Sequence, residues 1–304
     1  MSRILYVHIG AENTGSSSIQ DCLQRQQWTN GVYLQYSRQG DHRSLPAMFM
    51  DVQKDDDLFL HRGLLQREER ERWQRTMRQH VARDITSLDD KIRFIVMSSE
   101  QFHSRMTTDD EVRRVIDFFS AHVSSIRIIC YVRNQYEQCL SHYSTLIRAG
   151  LDVDLEDVLK ACRPENLYYN HHQMLLLWSR VVGKENVIVR PFLTEHWWKG
   201  DLGADFCHII SPQSPFSSRN IRKNVSLDVR GIRWARRVNR MLSVPHTRRN
   251  ESLREPLRAI LVNHIIGKMF RGSLDEEVGR RKEIMKRFEE SNLLLANDFL
   301  GVML

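Results

Sequence analysis

Short apolar runs alternate with helix-like patterns along the first two thirds of this chain. Four runs, over residues 3–9, 93–97, 126–132 and 186–189, are rich in β-branched residues and predict strands. The segments between them carry apolar residues at helical spacing, which predicts helices over residues 17–27, 65–87, 108–121, 135–149, 154–161 and 168–182. Strands that are apolar nearly throughout are typical of a parallel sheet buried on both faces. We therefore expect a three-layer α/β fold with a mostly parallel central sheet.

Two parts of the chain depart from this alternation. Residues 30–62 are polar, are interrupted by Gly31, Gly40 and Pro46, and predict irregular structure. Beyond residue 200 the pattern predicts only loops and helices, with a break at 211–218 and helices near residues 226–242, 252–269, 275–290 and 291–300. We expect a single domain over residues 1–304, with an α/β core over 1–210 and a helical C-terminal extension over 211–304.

The composition is that of a globular protein, with 41% hydrophobic residues. No apolar stretch approaches the roughly 18 residues that suggest a membrane-spanning helix, so we expect no transmembrane segment. The chain begins with a strand rather than with a signal peptide, which predicts a cytoplasmic location. The five cysteines are scattered and form no C-x-x-C pair, which predicts reduced thiols and no metal site.

The formal net charge of +7 favours anionic partners. Nucleic acid would be one such partner, but the sequence has neither zinc-finger spacing nor an aromatic RNA-recognition motif, so we expect no nucleic-acid binding. A polyanionic cofactor together with an acidic glycan or lipid head group would account for the charge equally well. The alternative is that a modest basic excess has no specific meaning.

Polar clusters follow three of the predicted strands. They are a loop after Ile9, the run Ser98-Ser99-Glu100, and Arg133. Ligands of open parallel α/β sheets bind beyond the carboxyl ends of the strands. We therefore expect these three clusters to meet at one edge of the sheet.

The loop after the first strand has the layout of a phosphate cradle. Gly10 ends the strand, Gly15 follows five residues later, and the hydroxyl residues Ser16, Ser17 and Ser18 open the next helix. Glycines let the backbone approach an anion, and the start of a helix supplies N–H groups. The ATP-binding form of such a loop reads G-x-x-x-x-G-K-[ST], and Ser16 stands where that lysine would be. The sequence thus favours phosphate binding and argues against a P-loop kinase or NTPase.

The same segment resembles the loop of bacterial, glycan-type sulfotransferases, which use 3′-phosphoadenosine 5′-phosphosulfate (PAPS). Their pattern is H-[IV]-G-x-x-K-T-G-[TS]-[TS]-S-I-Q, and the matching positions are His8, Ile9, Gly10, Thr14, Gly15, Ser16, Ser17, Ser18, Ile19 and Gln20. The resemblance implies a P-loop-like fold, PAPS as cofactor with PAP as its product, and transfer of a sulfuryl group to a hydroxyl of a saccharide or glycoconjugate. It also implies that residues 10 and 13–18 contact the cofactor.

Arg133 and Ser141 extend this resemblance. In the family an arginine at a strand end and a serine on the next helix hold the 3′-phosphate of the cofactor, and these two residues match that arrangement. The guanidinium group suits the task because its planar fork of donors meets two phosphate oxygens at once. The alternative is that Arg133 only caps neighbouring backbone carbonyls.

Glu100 is the candidate general base, because sulfuryl transfer needs a group that accepts the proton of the attacking hydroxyl. The run Ser98-Ser-Glu-Gln-Phe102 resembles the S-S-E-x-[FL] segment of the same enzymes. The alternatives are that Glu100 only accepts hydrogen bonds at a helix start, or that a histidine is the base. His8 is the first histidine candidate, and His42, His103 and His142 are the others.

Asn13 departs from the family, whose lysine at this position neutralises charge as the sulfuryl group leaves. Loss of one such preorganised donor typically costs about 10²–10³ in rate. Three interpretations remain open: an inactivating substitution, an enzyme whose cation comes from elsewhere, and a PAPS- or PAP-binding relative without turnover. The neighbouring Glu12 adds negative charge to the loop, which makes a simple local replacement harder.

Overall fold

The computed structural model describes residues 3–36, 42–213, 226–242, 254–272, 274 and 278–301. Its centre is a five-stranded sheet of order β2-β3-β1-β4-β5, in which every pair is parallel. The strands are β1 (Ile4–Gly10), β2 (Gly31–Tyr33), β3 (Phe94–Ser98), β4 (Ser125–Val132) and β5 (Val187–Pro191). Helices flank the sheet, and the predicted three-layer α/β fold is confirmed.

The helices account for most of the remaining described residues. They are α1 (Ser16–Arg25), α2 (Ser44–Ala47), α3 (Asp57–His61), α4 (Arg67–Thr86), α5 (Gln101–Arg105), α6 (Asp109–Ser120), α7 (Gln135–Arg148), α8 (Leu155–Ala161), α9 (His171–Val182), α10 (Leu202–Ile210), α11 (Val229–Leu242), α12 (Arg254–Ala259), α13 (Gly267–Met269), α14 (Val278–Arg287) and α15 (Glu289–Leu295). Two π-helical segments, Ile260–Ile266 and Ala296–Leu300, continue α12 and α15.

The central strand β1 and its neighbour β3 are apolar because both of their faces are covered. Leu5, Val7 and Ile9 of β1 have no exposed surface, and β3 is buried along its whole length. The register between them pairs Ile4 with Phe94 and His8 with Ser98. The carboxyl ends of these strands, where the predicted polar clusters lie, are therefore aligned side by side.

Residues 30–62 are more regular than the sequence suggests. They contain the edge strand β2 and the short helices α2 and α3. β2 spans only three residues and pairs with β3 through the register Val32 to Ile95. Three residues are too few to show a period, so an edge strand of this length leaves no pattern in the sequence.

The chain divides into two compact units. The first comprises Met1–Arg133, His171–Ile221 and Ser291–Leu304, and it holds the whole sheet. The second comprises Asn134–Asn170 and Arg222–Glu290. Its core contains Tyr143 and Ile147 of α7, Ile232 of α11 and Phe288. The single-domain description over residues 1–304 stays a prediction, and most of the predicted break at 211–218 lies outside the described residues.

Candidate active site

The loop between β1 and α1 turns sharply and is tied back on itself. Asn13 (φ 67°) and Gly15 (φ 76°) both have left-handed backbone. The Thr14 hydroxyl donates to the Ala11 carbonyl oxygen at 2.6 Å, and the Ala11 N–H donates to the Tyr131 carbonyl oxygen at 2.7 Å. The loop is thus anchored both internally and to β4.

Gly15 is required by space as well as by its backbone angle. A Cβ atom at this position would lie 2.5 Å from Leu202 Cδ2 and 3.1 Å from Phe192 Cε2. No larger residue fits there without displacing one of these side chains. The close approach fixes the start of α1 against α10 and the end of β5.

The first turn of α1 fits an anion. It contains no acidic residue, and the helix is ten residues long. The Ser16 Oγ atom is buried and has no hydrogen-bond partner, although a buried hydroxyl group is normally satisfied. The Ser18 N–H already donates to the Gly15 carbonyl oxygen, so an anion would be held by the amides that precede it. An orphaned hydroxyl at a helix start is the chemistry that a phosphate oxygen would complete.

The charge of Glu12 is partly offset. Its carboxylate lies 3.8 Å from Arg105 Nη1, and both side chains are mostly buried. Arg105 is shared with Asp56 and Asp57, at 2.7 and 3.0 Å. This pairing weakens the repulsion that Glu12 would otherwise exert on an anion in the loop.

Arg133 reaches the loop from the end of β4. Its Nη1 donates to the Asn13 carbonyl oxygen at 3.4 Å, and its guanidinium carbon lies 5.5 Å from the centre of the Phe192 ring. The Arg133 backbone carbonyl accepts from His171 Nε2 at 2.8 Å. Burial lowers the pKa of His171 to about 4, so this ring is a neutral donor that fixes the Arg133 backbone. The structure therefore brings together the loop and Arg133, as the parallel topology predicts.

Glu100 is held by a residue of α1. Gln20 Nε2 donates to Glu100 Oε2 at 2.8 Å and to Ser98 Oγ at 3.3 Å. Ser98 Oγ is in turn 2.8 Å from His8 Nδ1. Glu100 remains half-buried, whereas Gln20 is 5% exposed. The carboxylate thus has a fixed position with access to solvent, which a proton acceptor requires.

The four histidine candidates for the general base differ from Glu100 in their burial and their contacts. His8 has no exposed surface, and burial lowers its pKa to about 3. Its ring is therefore neutral, and its Nδ1 atom is hydrogen-bonded to the Ser98 hydroxyl group. His103 is buried and accepts from the Glu12 N–H at 3.4 Å. His142 belongs to the second unit, where it lies 2.8 Å from the Tyr169 hydroxyl and burial lowers its pKa to about 4. His42 stacks on Tyr33 with ring centres 6.4 Å apart.

Tyr33 is a site residue that the sequence does not reveal. Its hydroxyl is buried without a hydrogen-bond partner. Burial, and secondarily the negative charge of Glu100, raise the pKa of this phenol above its usual range, so Tyr33 lies within the electrostatic reach of Glu100. The two residues are 67 positions apart in the sequence and come near each other because β2 pairs with β3. No local pattern could have indicated that.

The fold is similar to a known one. The sequence matches no protein-family model and no curated protein. A solved structure described as the crystal structure of a sulfotransferase from Alicyclobacillus acidocaldarius is similar over 100% of this chain and 98% of that chain, with a TM-score of 0.50 and 13% sequence identity. This chain has a sulfotransferase fold.

The remaining residues that the sequence predicts to contact a cofactor are three serines of this sulfotransferase fold. Ser17 and Ser18 are half-buried in the first turn of α1. Ser141 is half-buried on α7, in the second unit, and its contact with a 3′-phosphate stays a prediction.

The described part of the chain contains neither a membrane-spanning helix nor a cluster of metal ligands. Among those residues, no helix is both long and apolar enough to cross a bilayer. The described histidine, cysteine and acidic side chains do not gather into any group of three or more that could hold a metal ion.

Proposed function

We propose that this chain is a PAPS-dependent sulfotransferase that acts on a hydroxyl group of a saccharide or glycoconjugate. The observation that carries the proposal is the arrangement of α1. Ser16, with its orphaned hydroxyl, and Gln20, which holds Glu100, are four residues apart on this helix. Side chains at this spacing share one face, about 5–6 Å apart at Cβ. An anion site and a candidate base therefore lie one helical turn from each other.

In this proposal the residues of the loop bind and orient the cofactor. The start of α1, with residues 10 and 13–18, holds the 5′-phosphosulfate. Arg133 and Ser141 hold the 3′-phosphate, for which the guanidinium fork is suited. His171 contributes indirectly, because it fixes the backbone of Arg133.

Glu100 accepts the proton of the acceptor hydroxyl. PAPS, when bound, would supply the sulfuryl group for the acceptor hydroxyl, and PAP would be the leaving group. Gln20 keeps the Glu100 carboxylate in place through a bond to Oε2. His8 is a positioning residue in this scheme, because it is buried and neutral and contacts Ser98.

A second candidate function is binding of PAPS or PAP without turnover. Asn13 favours it, since an asparagine brings no positive charge to the place where the family carries a lysine. The loop, Arg133 and Glu100 would then serve recognition alone. The two candidates share the nucleotide site and differ only in the chemical step.

Calorimetric titration with PAP, followed by a radiolabelled transfer assay with PAPS and a mixture of saccharides, separates the candidates. We expect PAP to bind, and Arg133→Ala to weaken it by roughly tenfold or more, as loss of a charge-assisted hydrogen bond does. The exposed Arg75 provides the matched control, Arg75→Ala, for the loss of one positive charge. ATP serves as the competing nucleotide, and ATP hydrolysis tests the P-loop NTPase alternative.

The outcomes are distinct. Transfer by the wild type that Glu100→Gln abolishes supports the enzyme. PAP binding without transfer, which Asn13→Lys does not restore, supports the binding protein. Absence of PAP affinity in the purified chain contradicts both candidates.

A further inference from the structure

An open cavity of about 660 Å³ lies at the edge of the sheet, beside the end of α1 and strand β2. Four glutamines line it, Gln24, Gln26, Gln27 and Gln35, together with the rings of Trp28 and Tyr33. Among the described residues, none of those that line the cavity carries a charge. Its volume lies within the range of about 300–1,000 Å³ that small-molecule sites occupy.

The lining has the chemistry of a site for a neutral polyol. A glutamine amide both donates and accepts, as does each hydroxyl group of a sugar, so amides and vicinal hydroxyls satisfy one another in pairs. Aromatic rings supply a flat, partly apolar face that packs against the C–H face of a sugar ring. Because the described lining has no cationic side chain, it suits a neutral ligand better than a phosphate or a carboxylate, in spite of the net charge of +7 on the whole chain.

The aromatic part of the cavity is held in place. Trp28 packs edge-to-face against Phe94 of β3, with ring centres 5.3 Å apart. Tyr33 lies on β2 and stacks against His42. Both rings are half-buried, which leaves part of each available to a ligand.

The cavity adjoins the candidate base along two elements. Gln20 and Gln24 are four residues apart on α1, so the helix face that holds Glu100 continues into the cavity wall. On strand β2, Tyr33 also lines the cavity, and the negative charge of Glu100 acts on its phenol group. A ligand in the cavity would thus extend towards the carboxylate.

We propose that this cavity binds a neutral saccharide unit of the acceptor and so directs one of its hydroxyl groups towards Glu100. This inference rests on the proposed sulfotransferase function and adds to it the cavity that holds the saccharide and the neutral character of the bound unit. In this proposal Tyr33 lies between the saccharide and Glu100. Its ring lines the cavity, and its hydroxyl group is close enough to Glu100 to be affected by the negative charge of that residue.

The test uses the full chain and a panel of defined probes. The neutral probes are cellobiose, maltotriose, N,N′-diacetylchitobiose and N-acetyllactosamine, titrated by NMR and calorimetry, and oligogalacturonate serves as the acidic comparison. We expect at least one neutral probe to bind and oligogalacturonate to bind more weakly. Gln24→Leu should weaken the bound probe by roughly twofold to tenfold, the effect of one lost hydrogen bond.

Matched variants locate the binding. Trp28→Leu removes the ring and should weaken the probe, whereas Trp28→Phe keeps an aromatic face and should preserve part of the affinity. Gln79→Leu, at an exposed position of α4, is the control for the loss of an amide elsewhere. Thermal unfolding of each variant, together with its PAP affinity, shows whether the variant is folded.

The failure of this inference differs from the failure of the proposed function. If PAP binds but no neutral probe does, or if Gln24→Leu and Trp28→Leu bind the probe as the wild type does, the saccharide site is wrong and the nucleotide site stands. Stronger binding of oligogalacturonate would overturn it as well. If PAP does not bind, the proposed function is wrong whatever the sugars do.

Discussion

The backbone conformation at position 13 suits an asparagine better than it suits most other residues. Its φ of 67° lies in the left-handed region, which side chains with a Cβ generally avoid. Asparagine enters this region more readily because its short amide bonds to the nearby backbone. The residue therefore serves the shape of the loop, whether or not the loop takes part in chemistry.

A first prediction concerns this backbone. Asn13→Ala should lower the free energy of unfolding by about 1 kcal/mol, because alanine has no local hydrogen bond to offset the strain, whereas Asn13→Gly should cause no loss. Urea denaturation measures both. Equal stability of the two variants would show that the left-handed backbone at position 13 is not populated in solution.

Gln20 acts on Glu100 rather than on a substrate. If the sulfotransferase proposal holds, Gln20→Leu should lower kcat by roughly tenfold, the effect of losing one hydrogen bond to a charged group. PAP affinity should stay within about twofold, since the variant leaves the amides at the start of α1 in place. A transfer assay and a PAP titration of the same preparation provide the split. A parallel loss of PAP affinity would mean that Gln20 supports the whole loop and not Glu100 alone.

At the scale of elements, β1, the loop after it and α1 together carry most residues of the candidate site. β1 ends at the carboxyl edge of the sheet, where the loop begins, and α1 contributes both Ser16, with its orphaned hydroxyl, and Gln20. Gly15 joins the loop to α1 with a left-handed backbone and no room for a side chain. The precision of the site therefore depends on one residue at the junction.

The junction gives a third prediction with an internal control. Gly15→Ala should destabilise the protein through both strain and the clash with Leu202, and it should weaken PAP binding. Gly63→Ala has a similar φ of 69° but meets nothing within 4 Å, so it should cost only the strain, about 1–2 kcal/mol. Thermal unfolding and PAP titration of the pair measure the difference. Equal losses would show that the close packing around Gly15 has no energetic importance.

At the scale of the whole molecule, buried histidines are found in both compact units. His8 and His171 belong to the first unit and His142 to the second. Burial lowers the pKa of each, to about 3 for His8 and about 4 for the other two. All three are neutral in the folded chain at neutral pH, and the unfolded chain takes up a proton on each of them at a higher pH than the folded chain does.

A fourth prediction follows for the pH dependence of stability. The unfolded chain takes up protons on these histidines as the pH falls below about 6.5, whereas the folded chain does not do so until about pH 4 or below. Stability should therefore be full above pH 6.5 and fall between pH 6.5 and 4, by about 1.4 kcal/mol per pH unit for each such histidine. His8→Gln should reduce that slope by the contribution of one histidine. Urea denaturation at several pH values measures it, and an unchanged slope would show that His8 takes up a proton in the folded state.

Much of the architecture followed from local patterns. The alternation of apolar strands and helices predicted the α/β fold with its parallel sheet, and polar residues at strand ends pointed to the loop, Glu100 and Arg133. These features are local or follow from parallel topology, which always places the carboxyl ends of neighbouring strands at one edge. The structure places Arg133 at the loop in agreement with this reasoning, through its contact with Asn13.

The sequence alone determined the fold class and the edge of the sheet where the candidate site lies, because periodicity and chain direction can be recognised from neighbouring residues. Only the tertiary structure decided which distant residues meet there. The pairing of β2 with β3 brings Tyr33 near Glu100, and the packing of α5 near the loop brings Arg105 to Glu12. The thiols of Cys22 and Cys207 likewise lie 3.8 Å apart although 185 residues separate them. Such contacts depend on strand order and helix packing, which no local pattern encodes.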